Sequence, residues 1–310
     1  MSQYQRRPID LMASLQNVAR GSIPLRAQER LAEEAGPNKK LFTSDLGVAE
    51  YLLAKESGCK PISQVMGSSI YHVAQIPDYK GETGEIEVIS EGHREARRRA
   101  IARLFEEAQF VGADAVIGAH LRERMITMGK RGKGGDDGGE ILEFTVVGTA
   151  VRAPWITHPP GQPVVTDLSG QELWALAQDG WEPTCFLFEF IRYHVWHVTP
   201  QMIFTGEITD ATMAIDQARL IASQRIQAQA AKFGTEVVVG SNIDLKVREV
   251  PCGANECERN DLDVDLSWFC TGIRRIPNAR RRTRVDVPPL TLTLTPLGKR
   301  QDEIIEAGDD

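Results

Sequence analysis

Residues 44–152 can be laid on residues 166–274 at a constant offset of 122 positions, with no gap. Asp45-Leu46 then falls on Asp167-Leu168, Gly58 on Gly180 and Pro61 on Pro183. Tyr71-His72-Val73 meets Tyr193-His194-Val195, and Thr83-Gly84-Glu85-Ile86 meets Thr205-Gly206-Glu207-Ile208. Gly112, Gly118, Thr149 and Arg152 meet Gly234, Gly240, Thr271 and Arg274. One offset kept over such different stretches reads as a tandem duplication, and it limits the fold to a unit that can be built twice. A chain of 310 residues has room for two domains. The expected division is a polar N-terminal arm (1–40), a first domain (41–153), a second domain (163–276) and a C-terminal tail (277–310).

Both copies carry the same local signals. A short helix is predicted from about Asp45, capped by Ser44, carrying Tyr51, Leu52 and Leu53 and ending at Gly58. Pro61 opens an extended run, ISQVMGSSIYHVAQI, matched by TCFLFEFIRYHVWHV and rich in β-branched or aromatic residues. An amphipathic helix follows over 93–111, with Ala96, Ala100, Leu104, Ala108 and Val111 on one stripe. The partner stripe is Ala218, Ala222, Ile226, Ala230 and Phe233. Small alanines let such a helix lie close to a sheet. AVIGAHL and VVVGSNI then read as buried strands, and ILEFTVVGTAVR and DVDLSWFCTGIR as the second arms of hairpins. The unit is β-α-β-β behind a short helix, with a three-stranded sheet whose second face needs a cover.

Composition narrows the function classes. Hydrophobic residues make up 42% and charged residues 25%, ordinary for a globular chain. Lys plus Arg total 36 against 43 Asp plus Glu, a formal charge of -7, which argues against nucleic acid or an anionic membrane as partner. The longest apolar candidate, residues 185–191, is far short of a span and contains Glu189. Five sparse cysteines fit reduced thiols, so a cytoplasmic location is expected. G-x-S-x-G, H-E-x-x-H, G-x-G-x-x-G and P-loop motifs are missing, and the expectation is no enzyme. The glycine-rich stretch Gly129–Gly139 sits in a hairpin and reads as a loop tip.

The helix, followed by Gly112-Ala113-Asp114-Ala115-Val116-Ile117-Gly118 and then by Phe144-Thr145-Val146-Val147-Gly148-Thr149-Ala150-Val151, resembles the YbjQ-like family, whose name records a proposal of heavy-metal binding. The second copy keeps both glycines in Gly234-Thr235-Glu236-Val237-Val238-Val239-Gly240, but Thr271-Gly272-Ile273 stands where the first has Thr149-Ala150-Val151. The resemblance implies an α+β protein of two tandem dodecin-like β-α-β-β domains that form rings, five-fold in single-domain relatives. It implies a non-catalytic oligomeric scaffold or binding protein whose first partner is itself. A single ring of five domains cannot close from two-domain chains. Either five chains stack two rings, giving ten domains, or one ring takes an even number of domains, or the chain is a unit of something larger.

The family name invites a second reading, a zinc or copper ion held by cysteine or histidine. Cys252 and Cys257 form C-x4-C beside Glu256 and Glu258, a thiolate pair in need of two further ligands. His72 and His194 occupy equivalent places, and a ring would bring such residues together from neighbouring copies. His197 adds H-x2-H, but strand alternation sends it to the face opposite His194. The bland alternatives are loosely paired thiols and hydrogen-bonded interface histidines. Glu85 and Glu207 read as part of the strand-to-helix connection, and Arg94, Arg97, Arg98, Arg99 and Arg103 as a solvated helix face paired with Glu106 and Glu107.

The ends differ in character. Residues 24–35 have a modest helical pattern, suited to an arm docked on a neighbour or to a mobile tail. Arg274, Arg275, Arg280, Arg281, Arg282 and Arg284 cluster without an acid among them. Leucine and threonine alternate strictly over 290–295, the pattern of a half-buried strand added to a sheet edge.

Overall fold

A computed structural model of the chain describes residues 11–35, 43–73, 82–127, 140–196, 207–251 and 260–277. Helices α1 (Leu11–Ala19), α2 (Leu25–Ala35) and α3 (Val48–Glu56) precede strand β1 (Lys60–Val73). A two-residue strand β2 (Gly84–Glu85) leads into helix α4 (Glu87–Phe110), then strands β3 (Ala115–Thr127) and β4 (Glu140–Arg152). The second half runs β5 (Val164–Val165), α5 (Gly170–Gln178), β6 (Trp181–Val195), α6 (Thr209–Lys232), β7 (Val237–Pro251) and β8 (Asn260–Arg275). The strand expected over 290–295 lies outside the described residues.

The chain forms two four-stranded sheets, ordered β1-β4-β3-β5 and β2-β6-β8-β7. Within each, the long strands pair antiparallel about a central hairpin arm, β4 or β8. Register shifts fall between Pro61 and Ser63 and between Ile117 and His120; in the other sheet they fall between Pro183 and Cys185 and between Val239 and Asn242. Gly118 and Gly240, at φ of 62° and 66°, turn the backbone at the second kind of bulge.

The fourth strand of each sheet is borrowed, which the sequence reading of three-stranded sheets did not foresee. β5 belongs to the second half yet runs parallel to β3, with Ala115 opposite Val164. β2 belongs to the first half yet pairs with β6, with Gly84 opposite His194. Each sheet edge exposes unpaired backbone groups, and a two-residue strand from the other half meets part of that demand.

Each long helix lies on its own sheet through the alanine stripe. Ala96, Ala100, Leu104 and Ala108 are buried on α4, and Ala214, Ala218, Ala222, Ile226 and Ala230 on α6. The approach is close: a Cβ at Gly67 would stand 1.9 Å from the Ala100 carbonyl oxygen. The first core joins this stripe to Val65, Phe144 and Val146, and takes in Ile23 and Leu31 beside α2. Arg30 of α2 donates to Glu107 at 2.9 Å, and the Ser22 hydroxyl donates to Glu106. The arm thus docks on its own chain.

One cap differs from expectation. α3 begins at Val48, and the Gly47 N–H donates to Glu50 Oε2 at 2.6 Å. Ser44 is spent elsewhere, its Oγ accepting from Leu46 N at 3.1 Å and lying 3.2 Å from Thr149 Oγ1.

Candidate functional site: the joint between the sheets

α4 is clasped on two sides, by its own sheet and by the outer face of β6 and β8. Its entry sets the geometry, because Ile86 N donates to Arg192 O at 2.8 Å just after β2 joins β6. One turn on, Ser90 Oγ accepts from Arg192 N at 3.0 Å. The His93 ring stacks on Phe190 with centroids 3.7 Å apart and planes 3° off parallel. Arg97, 0% exposed, is the pin of the joint. Its guanidinium lies about 5 Å from three rings, Phe144 of its own sheet and Phe190 and Phe269 of the other. It donates to Glu123 Oε2 at 2.7 Å and to Ser267 Oγ at 2.8 Å.

Those contacts correct the reading of the arginine face as solvated. Arg94 reaches Glu189 at 3.1 Å across the joint, while Arg98 and Arg99 pair with Glu95 on their own helix. Glu85 is likewise more than a connector, since Arg225 of α6 donates to it at 2.7 and 2.8 Å. A buried charge in an apolar joint must be paired to be tolerated. Burial alone would raise the Glu123 carboxyl, but the hydrogen bond with His93 and the charge of Arg97 outweigh it and hold it down at about 2. At Glu189 burial prevails over the pull of Arg94, and its carboxyl is pushed up.

The outer face of the second sheet continues as a lattice of charges. Arg192 donates to Asp265 at 2.6 and 3.0 Å, and Arg248 reaches the same carboxylate at 3.0 Å. His194 is buried there, with Nδ1 2.8 Å from Asp263 and Nε2 3.5 Å from Asp261. Its equivalent, His72, is exposed on β1, so the two matched histidines have unlike surroundings. Cys252, Cys257 and His197 lie outside the described residues. Among the described residues no group of three or more His, Cys, Asp or Glu is disposed to hold a metal ion. Cys59, Cys185 and Cys270 are buried, and burial pushes the Cys270 thiol up to about 12, far from the thiolate that metal ligation or attack requires.

A cleft of about 600 Å³ lies where β3 and β7 approach, lined by His120, Glu123, Asp167, Asn242, Lys246 and Ser267 among others. His120 is held 3.0 Å from Asp45, and Thr271 donates to Asp167, so two of its polar groups already serve turns of the fold. No helix among the described residues is long and apolar enough to cross a membrane.

The joint was beyond sequence reasoning except for one signal. Arg97 recurs at the offset as Arg219, and Ser90 and His93 fall on Thr212 and Ile215, but only tertiary contact reveals which copy is buried.

These features define a helix-backed α+β protein in which Arg94, Arg97 and the Glu85–Arg225 pair hold the two halves together. Residues 62–154 match the YbjQ-type family model, described as "Putative heavy-metal-binding". The encapsulin nanocompartment protein Rv1762c of Mycobacterium tuberculosis is 34% identical over 223 residues, which span 69% of this chain and 80% of that protein. The chain belongs to the family of that protein. The UPF0145 protein sll118 of Synechocystis is 44% identical over 72 residues, 23% of this chain and 56% of that one. No solved structure matches.

Proposed function

We propose that the chain is a self-assembling, non-catalytic scaffold or binding protein built from two tandem YbjQ-like modules, residues 41–153 and 163–276. The modular reading is supported by bulges and bonds that repeat at the offset. Thr166 and Thr271 lie 2.9 Å apart where Ser44 and Thr149 do, and Leu168 N donates to Thr166 at 3.1 Å as Leu46 N does to Ser44. Assembly rests on one observation, the bare outer face of β1. Met66, Ser68, Ile70 and His72 are exposed there, with Ile70 at 75%. Two large apolar side chains, Met66 and Ile70, left to water on one strand face mark a surface made to be covered. A relative whose name places it in an encapsulin nanocompartment accords with a chain that packs against copies of itself.

Native mass spectrometry of the untagged chain tests this. The expected result is a discrete multiple of 34.4 kDa, and monomer alone at micromolar concentration would overturn it. The family model's description favours one other reading, a zinc or copper ion bound by Cys252 and Cys257 or by His72 and His194 of adjoining copies. Stoichiometric metal in the same spectrum, lost on Cys252→Ser, would establish the thiol site.

A further inference from the structure

The geometry points to what covers the bare face: the outer side of α6 from a second copy of this chain, seated on β1 as α4 is seated on β6. This rests on the assembly reading above and names its interface.

The argument is a comparison of burial at matched positions. On β6, Phe190 and Arg192 are buried against α4 and His194 beside β2; on β1 their counterparts Ser68, Ile70 and His72 are exposed. On α4, Ser90, His93 and Arg97 are buried against β6; on α6, Thr212 and Arg219 are exposed and Ile215 is half-buried. At the helix entry Ile86 is 6% exposed, whereas Ile208 is 48% exposed. Each half therefore displays the side of the joint that the other half has used, and the two unused sides are complementary in kind.

The external pairs differ in chemistry from the internal ones. Where the internal joint sets Ser90 on Arg192 and His93 on Phe190, the external one sets Thr212 on Ile70 and Ile215 on Ser68. Each external pair sets one isoleucine against a hydroxyl residue, so both cover apolar surface. The contact is heterologous, helix to sheet, so it leaves one free helix and one free sheet at the ends until the chain of copies closes on itself. A ring of whole chains then alternates the two halves.

Two variants test the pairing, Ile70→Glu on the sheet side and Ile208→Asp on the helix side. Both side chains are largely exposed, and circular dichroism and thermal midpoints unchanged from wild type verify the fold. Each variant alone should lose the wild-type assembly and run at the mass of one chain. Mixed one to one, they should form a dimer and nothing larger, because each retains the face the other lacks. Wild-type chain that is itself monomeric overturns the assembly reading. An assembled wild type whose variants keep its mass, or variants that stay monomeric when mixed, overturns this pairing alone.

Discussion

Arg97→Met removes the charge at the centre of the joint while keeping most of the volume. The arginine makes two short hydrogen bonds, to Glu123 at 2.7 Å and Ser267 at 2.8 Å, and sits among three phenylalanine rings. Methionine packs well against such rings, so little cavity cost is expected. The loss comes from the buried Glu123 carboxylate, which retains His93 at 3.4 Å but loses its cation. Breaking one side of a buried pair costs about 3–5 kcal/mol. At about 2–4 °C per kcal/mol for a unit of this size, the thermal midpoint should fall by about 6–20 °C. Differential scanning calorimetry at pH 7 measures it. Arg97→Met combined with Glu123→Gln should recover more than half of the loss, because the orphaned charge is gone. A single variant within about 0.5 kcal/mol of wild type would refute the reasoning, since burying the guanidinium would then have cost as much as its partners return.

The low Glu123 carboxyl makes stability depend on acid. Its folded value of about 2 lies below the ordinary carboxylate range, so its contribution is complete above about pH 4.5 and disappears as pH falls toward 2. Glu107 and Glu189, pushed up by burial, act in the opposite sense at higher pH, so the wild-type and Glu123→Gln unfolding curves should be compared and should converge only toward pH 2. Gly67→Ala should lower stability by about 1–3 kcal/mol in urea unfolding, because the new Cβ meets α4 backbone with no side chain free to yield. Leu31→Ala should cost about 2–5 kcal/mol and open the arm to trypsin, since Leu31 is wholly buried in the first core. Cys270 should resist iodoacetamide at pH 8 in the folded chain and react in denaturant, as read by mass spectrometry.

Local signals carried much of the fold. The alanine stripes of both long helices, the turns at Gly58, Gly112, Gly180 and Gly234, and the strand runs after Pro61 and Pro183 depend on neighbours a few residues away. The borrowed strands were not legible, because Gly84-Glu85 and Val164-Val165 are strands only through partners in the opposite half. The arginines of α4 misled for the same reason. Helical spacing relates Arg97 to residues on its own helix, whereas its burial comes from Phe269 and Ser267, about 170 positions away. The matched histidines show that equal sequence context does not give equal surroundings, since His72 faces solvent and His194 lies between Asp261 and Asp263.

Because α4 covers the outer face of β6 as well as its own sheet, neither half buries all of its surface alone. The ribosome releases α4 long before β6 and β8 exist, so the nascent first half must wait with His93 and Arg97 in water until the second arrives. The two sheets should accordingly melt as one cooperative transition, and a chain cut in the linker near residue 160 should give two fragments that gain order only on being reunited.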